Sequence, residues 1–375
     1  MYLPEELLVE ILPWVPAASL ARFRCTAKRW NALIKSKRFA EKHSAYAPRQ
    51  SSLVIMLIDS RAFYTASFDF HGNHDNVVKV RGQLNLKDPL SKSSEEVYIS
   101  DDVFHCDGLL LCTSTTKGSR RQLVWNPCSG ETRWMVAPKP TYSSVNYFAL
   151  GKSSCNKYKV LRVGQYGNGH YQCGVEYEIY DFTSNSWRSV GNTNDWSIPG
   201  IWGRGVSVNG NTYWLAFSYS EKSPNAKEII LSFDFSTESF GIVSLPFDLS
   251  HDRVMALSVT REEQKLCLLA SPLSTKGFKI DLWMATKIES SGATSWSKFL
   301  TVERDKSHEF FTSCNGMSFL DDREKGVLVC PGKQGNSKSF LHIVGEDKYI
   351  QVDHHDAGSK CSLLISYVPT LVRIQ

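Results

Sequence analysis

"YEIYDFTSNSWRSV" (Tyr177–Val190) holds an apolar alternating run, a polar turn of Asp, Thr, Ser and Asn, and a return run that carries a tryptophan. Alternation at a period of two, broken by residues that favour turns, predicts a β-hairpin. The same arrangement recurs in "SFDFHGN" (Ser67–Asn73), "LVWNPCSGETRWM" (Leu123–Met135), "ILSFDFSTESFGIV" (Ile230–Val243), "DLWMATKIESSGATSWSKF" (Asp281–Phe299) and "HIVGEDKYIQV" (His342–Val352). The aromatics of the return strands, Trp134, Trp187, Phe240, Trp296 and Tyr349, follow one another at 53, 53, 56 and 53 residues. Intervals this even define a repeated structural unit, and its aromatics are expected in the core.

Between these hairpins lies a second recurring pair of strands, in "HCDGLLLC" (His105–Cys112), "VNGNTYWLAF" (Val208–Phe217), "VTREEQKLCLLA" (Val259–Ala270) and "DDREKGVLVC" (Asp321–Cys330). Each unit therefore contains about four strands. A period near fifty with four strands per unit predicts a kelch-like β-propeller, in which every blade buries both faces against its neighbours. Counting Phe68, Trp125, Tyr180, Phe233, Trp283 and Ile343 gives six hairpins and six blades, with five blades or an irregular β-sandwich as the alternatives. Closure requires "KCSLLISYVPTL" (Lys360–Leu371) to complete the blade begun by "SLVIMLID" (Ser52–Asp59).

The 375 residues leave room for this domain and a small second one. The longest apolar run, Leu53–Ile58, is far below the roughly 20 residues that cross a bilayer, and the start lacks a signal-peptide pattern. The ten cysteines are scattered singly, and no Asn-x-Ser/Thr acceptor occurs, so reduced thiols and an intracellular location, cytoplasm or nucleus, are expected. Residues 1–50 carry nine Lys/Arg against four Asp/Glu, which accounts for the whole net charge of +5. That excess points to an acidic partner, protein or phosphate backbone.

The opening stretch, "LPEELLVEILPWVPAASLARFRCTAKRWNALI" (Leu3–Ile34), is helical in period. Pro4 suits a first turn, Glu5 and Glu6 follow where the helix dipole favours negative charge, and Pro13 ends the helix near Leu12. Leu3, Leu7, Leu8, Ile11 and Leu12 form one apolar stripe. A second short helix opens at Pro16 with Leu20 and Phe23, and a third holds Trp30, Leu33 and Ile34. So few residues bury too little surface to be comfortable alone. The stripe must pack on the rest of the chain or on another protein.

These residues resemble an F-box: Leu-Pro, an acidic-Leu pair, Glu-Ile-Leu, Val-Pro, Ser-Leu and a late Lys-Arg-Trp. Pro13-Trp14 and Ala27 depart from the common pattern. The resemblance implies that Leu3, Pro4, Leu7, Leu8, Ile11, Leu12, Val15, Pro16 and Leu20 contact a Skp-type adaptor and through it a cullin scaffold. It also implies that Trp30, Leu33 and Ile34 support or extend that surface. Such adaptors are acidic, in keeping with the basic excess. The rest of the chain resembles the F-box-associated propeller family of plants through "VWNPCSGETRW" (Val124–Trp134), "YKVLRV" (Tyr158–Val163), "GVSVNGNTYWLA" (Gly205–Ala216) and "SYVPTLV" (Ser366–Val372). The implied organisation is an F-box at 1–45, a linker at 46–52 and a target-binding propeller at 53–375. The implied role is a non-catalytic substrate receptor of a ubiquitin ligase that binds an unidentified protein target, with no cofactor and no membrane.

Motifs of chemistry are sparse. His71 with His74 and His354 with His355 are the close histidine groups, without a Cys-x-x-Cys to complete a zinc site, and no metal is expected. "GNGH" at Gly167 has neither a dinucleotide fingerprint nor a P-loop lysine. No Gly-x-Ser-x-Gly elbow occurs, and Asp101-Asp102 and Asp321-Asp322 read as solvated turns, so a propeller hydrolase or oxidase lacks a site. In the loop "NTNDWSIPGIWGRG" (Asn192–Gly205), Trp196 and Trp202 are candidate target anchors or rings folded back on a blade. The alternative function is a basic nucleic-acid-binding protein that uses the N-terminal helices, with strong salt dependence; phosphate binding gives no reason for an aliphatic stripe.

Overall fold

The computed structural model describes residues 4–46, 53–58, 62–68, 78–86, 98–99, 103–116, 119–136, 138, 145–167, 174–200, 203–220, 223–246, 249, 252–260, 264–272, 278–304, 318–334, 338–346, 348–352 and 361–374. Six antiparallel sheets of four or five strands follow the helices, as the repeat predicts. From centre to rim, blade 1 is Cys361–Tyr367, Leu53–Ile58, Ala62–Phe68 and Val78–Leu84. Blade 2 is Tyr98–Ile99 with Phe104–Cys106, then Leu109–Thr116, Ser119–Trp125 and Thr132–Trp134. Blade 3 is Val145–Lys152, Tyr158–Tyr166, Gly174–Asp181 and Ser186–Thr193. Blade 4 is Trp196–Ser197 with Val206–Val208, then Asn211–Ser220, Ser223–Asp234 and Ser239–Val243. Blade 5 is Asp252–Val259, Leu266–Pro272, Phe278–Ile288 and Thr294–Arg304, and blade 6 is Leu320–Asp322, Val327–Gln334, Lys338–Gly345 and Tyr349–Val352.

The ring closes where the sequence places the closure. Cys361–Tyr367 pairs antiparallel with Leu53–Ile58, Leu53 opposite Tyr367 and Leu57 opposite Leu363. One blade thus unites both ends of the domain, which leaves no sheet edge at the join. Each interface between blades is apolar: Val54, Met56 and Leu364 of blade 1 meet Leu320, Val329 and Ile343 of blade 6.

The repeated aromatics are staples between blades. Trp187 on the rim strand of blade 3 donates its indole N–H to the Val136 carbonyl beyond blade 2, at 2.8 Å. Trp296 on the rim of blade 5 donates in the same way to Ser244 O beyond blade 4, also at 2.8 Å. Phe240 of blade 4 meets Tyr177 of blade 3 edge-on, ring centres 4.9 Å apart. The turns repeat as well: Asn126, Asp181 and Asp234 each accept, on a side-chain oxygen, the backbone N–H two residues on, a local turn that short polar side chains favour.

Four helices precede the propeller: α1 (Glu5–Ile11), α2 (Ala17–Phe23), α3 (Lys28–Ile34) and α4 (Lys37–Tyr46), with a 3-10 turn at Leu12–Trp14. The three expected are present, and α4 adds a fourth that a stretch of Lys, Arg and His did not announce. Among the described residues no helix is long and apolar enough to cross a membrane.

Candidate adaptor-docking surface

Helix α1 begins at Pro4, whose carbonyl accepts the Leu8 N–H at 3.2 Å, and gives way to the 3-10 turn that contains Pro13. Its apolar stripe divides in two. Leu8 and Leu12, four apart, point inward at 7% and 6% exposure, while Leu7 and Ile11, also four apart, stay outside at 47% and 52%. The inner pair joins Ala17 and Leu20 of α2, Ile34 of α3 and Phe39 of α4. Helix α4 braces this core from behind, His43 Nε2 lying 3.0 Å from the Val15 carbonyl, and burial pulls that imidazole below its usual range.

The seventh buried member of this core is Leu371, from the segment that follows the closing strand of the propeller. The apolar stripe read from the sequence is therefore shared: one half packs on the chain's own C-terminal tail. Asn126, fully buried in the outer turn of blade 2, fixes that tail by donating from Nδ2 to Thr370 O at 3.1 Å and to Val372 O at 2.8 Å. Gly108 lets the tail pass, because at φ +77° a Cβ there would lie 1.8 Å from Thr370 Cγ2 and 2.8 Å from Val368 O. Two further bonds cross from head to propeller, Arg24 Nη1 to Ser129 O at 3.0 Å and Arg373 Nη1 to Lys35 O at 3.2 Å. Glu131 sits among Arg373, Arg24 and Lys35, and its burial still holds the carboxyl above the usual range.

With its inner side covered, the head turns apolar side chains outward. Of the eleven large apolar residues exposed among those described, Leu7, Ile11, Trp14, Phe23 and Tyr46 lie in the first 46 positions, a higher density than along the propeller. Trp14 stacks at a tilt on Tyr46, ring centres 5.4 Å apart, and Phe23 lies 6.1 Å from Trp30. Pro4 and Pro16 are exposed, and Val15, Trp30 and Leu33 are half-buried. Leu8, Leu12, Leu20 and Ile34 are inside, and Leu3 lies outside the described residues. Trp14, Phe23 and Tyr46 were not singled out from sequence as docking residues: Trp14 and Tyr46 stand in a turn and at a helix end, outside any apolar period, and Phe23 read only as the companion of Leu20 in the second helix. Lys28, Arg29, Lys35 and Arg38 are exposed on α3 and α4 and between them, while Lys42 pairs with Glu10 of α1.

The propeller candidates fare differently. Trp196 is 7% exposed and packs on Phe240 with ring centres 4.5 Å apart, so its ring belongs to blade 4 and offers no free anchor. Trp202, together with His71, His74, His354, His355, Asp101 and Asp102, lies outside the described residues. Asp321 is buried and Asp322 half-buried at the start of blade 6, which corrects the solvated-turn reading of that pair. Among the described residues no group of three or more His, Cys, Asp or Glu is placed to hold a metal ion.

A small helical head with an apolar outer side, fixed on a six-bladed propeller, defines an F-box protein of the propeller class. Residues 2–42 match the F-box domain and residues 53–374 the F-box associated beta propeller domain, and the chain belongs to that family. It is similar throughout its length to Arabidopsis thaliana proteins named as F-box proteins. At4g10190 is 52% identical, covering 99% of this chain and 98% of that one. At3g21130 is 49% identical, covering 100% and 97%, and At3g21120 is 46% identical, covering 100% and 99%.

Proposed function

We propose that this chain is the substrate-recognition subunit of a Skp–cullin–F-box ubiquitin ligase and performs no chemistry itself. Residues 1–45 dock the adaptor, 46–52 connect, and 53–375 hold a protein target so that ubiquitin transfer proceeds by proximity. The observation that carries this reading is the outward apolar side of the head, Leu7 and Ile11 above all, on a unit whose other side is already packed. Pro4, Trp14, Val15 and Pro16 extend the surface, and Leu8, Leu12, Leu20, Trp30, Leu33 and Ile34 shape it from beneath. The exposed cations nearby suit the acidic adaptor.

The head sits at the outer turn of blade 2 and at the end of the closing strand. Because strands alternate in direction, this is the propeller face that also carries the Asp107-Gly108 turn. The strand ends that lead from one blade to the next lie on the opposite face, which the head leaves open.

The test is co-expression of the full chain with a Skp-type adaptor. A Leu7→Asp, Ile11→Asp double variant loses capture while its circular dichroism is unchanged, since central apolar anchors are each worth about 2 kcal/mol or more. Ile242→Asp, equally exposed at 52% but on blade 4, retains capture. Undiminished capture by the double variant, or none by the unaltered chain, overturns the assignment.

A further inference from the structure

The tail that follows the closing strand (Cys361–Tyr367) is used from both sides. Asn126 holds the carbonyls of Thr370 and Val372, and Ile374 is buried at 6% exposure in the core that blades 2 and 3 share, with Val372 packed against it. Leu371 and Arg373, the residues between, serve the head: Leu371 enters its core and Arg373 Nη1 donates to the Lys35 carbonyl. Alternation of this kind is what an extended segment gives, successive side chains pointing to opposite sides. One short strip thereby joins two domains.

The strip is continuous with the strand that closes the ring, Thr370 standing three residues after Tyr367. The tail is therefore seated because the strand is seated. Leu364 of that strand, 3% exposed, packs on Leu320 and Ile343 of blade 6, and its N–H is accepted by Ser318 Oγ at 2.8 Å. Tyr367 meets His105 of blade 2 edge-on, ring centres 5.9 Å apart. Cys128 of blade 2 is the other propeller residue, among those described, that packs on the head's core, and it is half-buried there. Closing the ring and completing the core of the head are thus parts of one contiguous set of contacts.

We propose that adaptor docking is coupled to closure of the propeller: an open ring withdraws Leu371 and leaves a loosened head, and a docked adaptor in return holds the ring shut. The proposal rests on the reading of the head as an adaptor-docking unit. Its consequence is that chains with a complete propeller are the ones that enter the ligase. Leu371 sets the size of the coupling, since taking a buried leucine side chain out of a core shifts an equilibrium roughly 30-fold or more. Coupling between two sites is reciprocal, so the same factor acts in both directions.

The test is hydrogen exchange on the full chain, alone and with a saturating Skp-type adaptor. Bound adaptor slows exchange in Cys361–Tyr367 and Leu53–Ile58 roughly 30-fold, although both strands belong to the propeller. Without adaptor, Leu371→Ala speeds exchange in the same two strands by a similar factor, because the head no longer grips the tail, and in that variant added adaptor has little further effect on them. Closing-strand exchange that is indifferent to bound adaptor, or indifferent to Leu371→Ala, overturns the coupling while capture of the adaptor leaves the receptor reading standing. Failure of capture overturns the receptor reading instead, and the adaptor-free comparison still decides whether head and ring are linked. Should Leu371→Ala not fold, the adaptor-dependent exchange of the unaltered chain decides.

Discussion

Replacing Leu371 by Ala tests whether the head depends on the propeller's tail. The side chain is 5% exposed and packs among Leu8, Leu12, Ala17, Leu20, Ile34 and Phe39. Truncating a buried leucine costs about 2–5 kcal/mol, the lost transfer free energy plus the cavity left behind. That loss falls on a unit of fewer than fifty residues with a small core, and not on the blades, whose interfaces do not include Leu371. At 1.4 kcal/mol per tenfold, the opening equilibrium of the head rises roughly 30-fold to a few thousand-fold. Hydrogen exchange reads this directly, because amides in locally opening units exchange in proportion to that equilibrium. Amides of α1 and α2 speed up by that factor in Leu371→Ala, while those of Val160–Val163 in blade 3 keep their protection. Adaptor affinity falls in proportion to the fraction of heads left folded. If α1 and α2 exchange as slowly as before, or if blade 3 loses protection to the same extent, the tail does not act as the head's support.

The two indole staples give an independent check. Trp187→Phe and Trp296→Phe each keep one six-membered aromatic ring and lose the pyrrole half of the indole, and with it one hydrogen bond, to Val136 O and Ser244 O. Each lowers stability by about 1 kcal/mol in urea unfolding, and the double variant by close to the sum, since the sites are in blades 3 and 5; a sum far from additive refutes independent staples. Acid provides another. Burial pulls the imidazoles of His105 and His342 down to about 4 from an ordinary 6.5, so below pH 6.5 the unfolded chain takes up protons that the folded chain refuses. Stability is therefore complete above pH 6.5 and declines as the pH falls toward 4. A urea midpoint that falls as steeply from pH 7 to 5 in His105→Asn as in the unaltered chain removes His105 from that account.

The repeat was legible because a propeller reuses one local solution. Every blade needs the same strand, turn and return, and the rim aromatics recur at 53 to 56 residues, Trp187 and Trp296 each reaching the blade before its own. Blade count followed from the six hairpins, with five blades or an irregular β-sandwich as the alternatives, and closure from the two terminal strands. The helical start was legible too, through Pro4, Pro13 and the spacing of the leucines. What the repeat does not encode is a contact between one end of the chain and the other. Leu7, Leu8, Ile11 and Leu12 are chemically alike and adjacent on one helix, so no periodicity tells which pair turns inward.

The tertiary structure alone assigns Leu8 and Leu12 to the core and leaves Leu7 and Ile11 outside, because closing the propeller delivers Leu371 to one side of the head. It likewise settles Trp196, which sits among Gly, Asn and Pro as an exposed loop residue would, yet is covered by Phe240 from a strand of the same blade. The sequence determined the two folds and the period of the larger one, since those rest on local alternation and turn chemistry. Which apolar side chains remain free to meet a partner depends on surfaces brought together from positions more than 350 residues apart, and only the folded chain decides that.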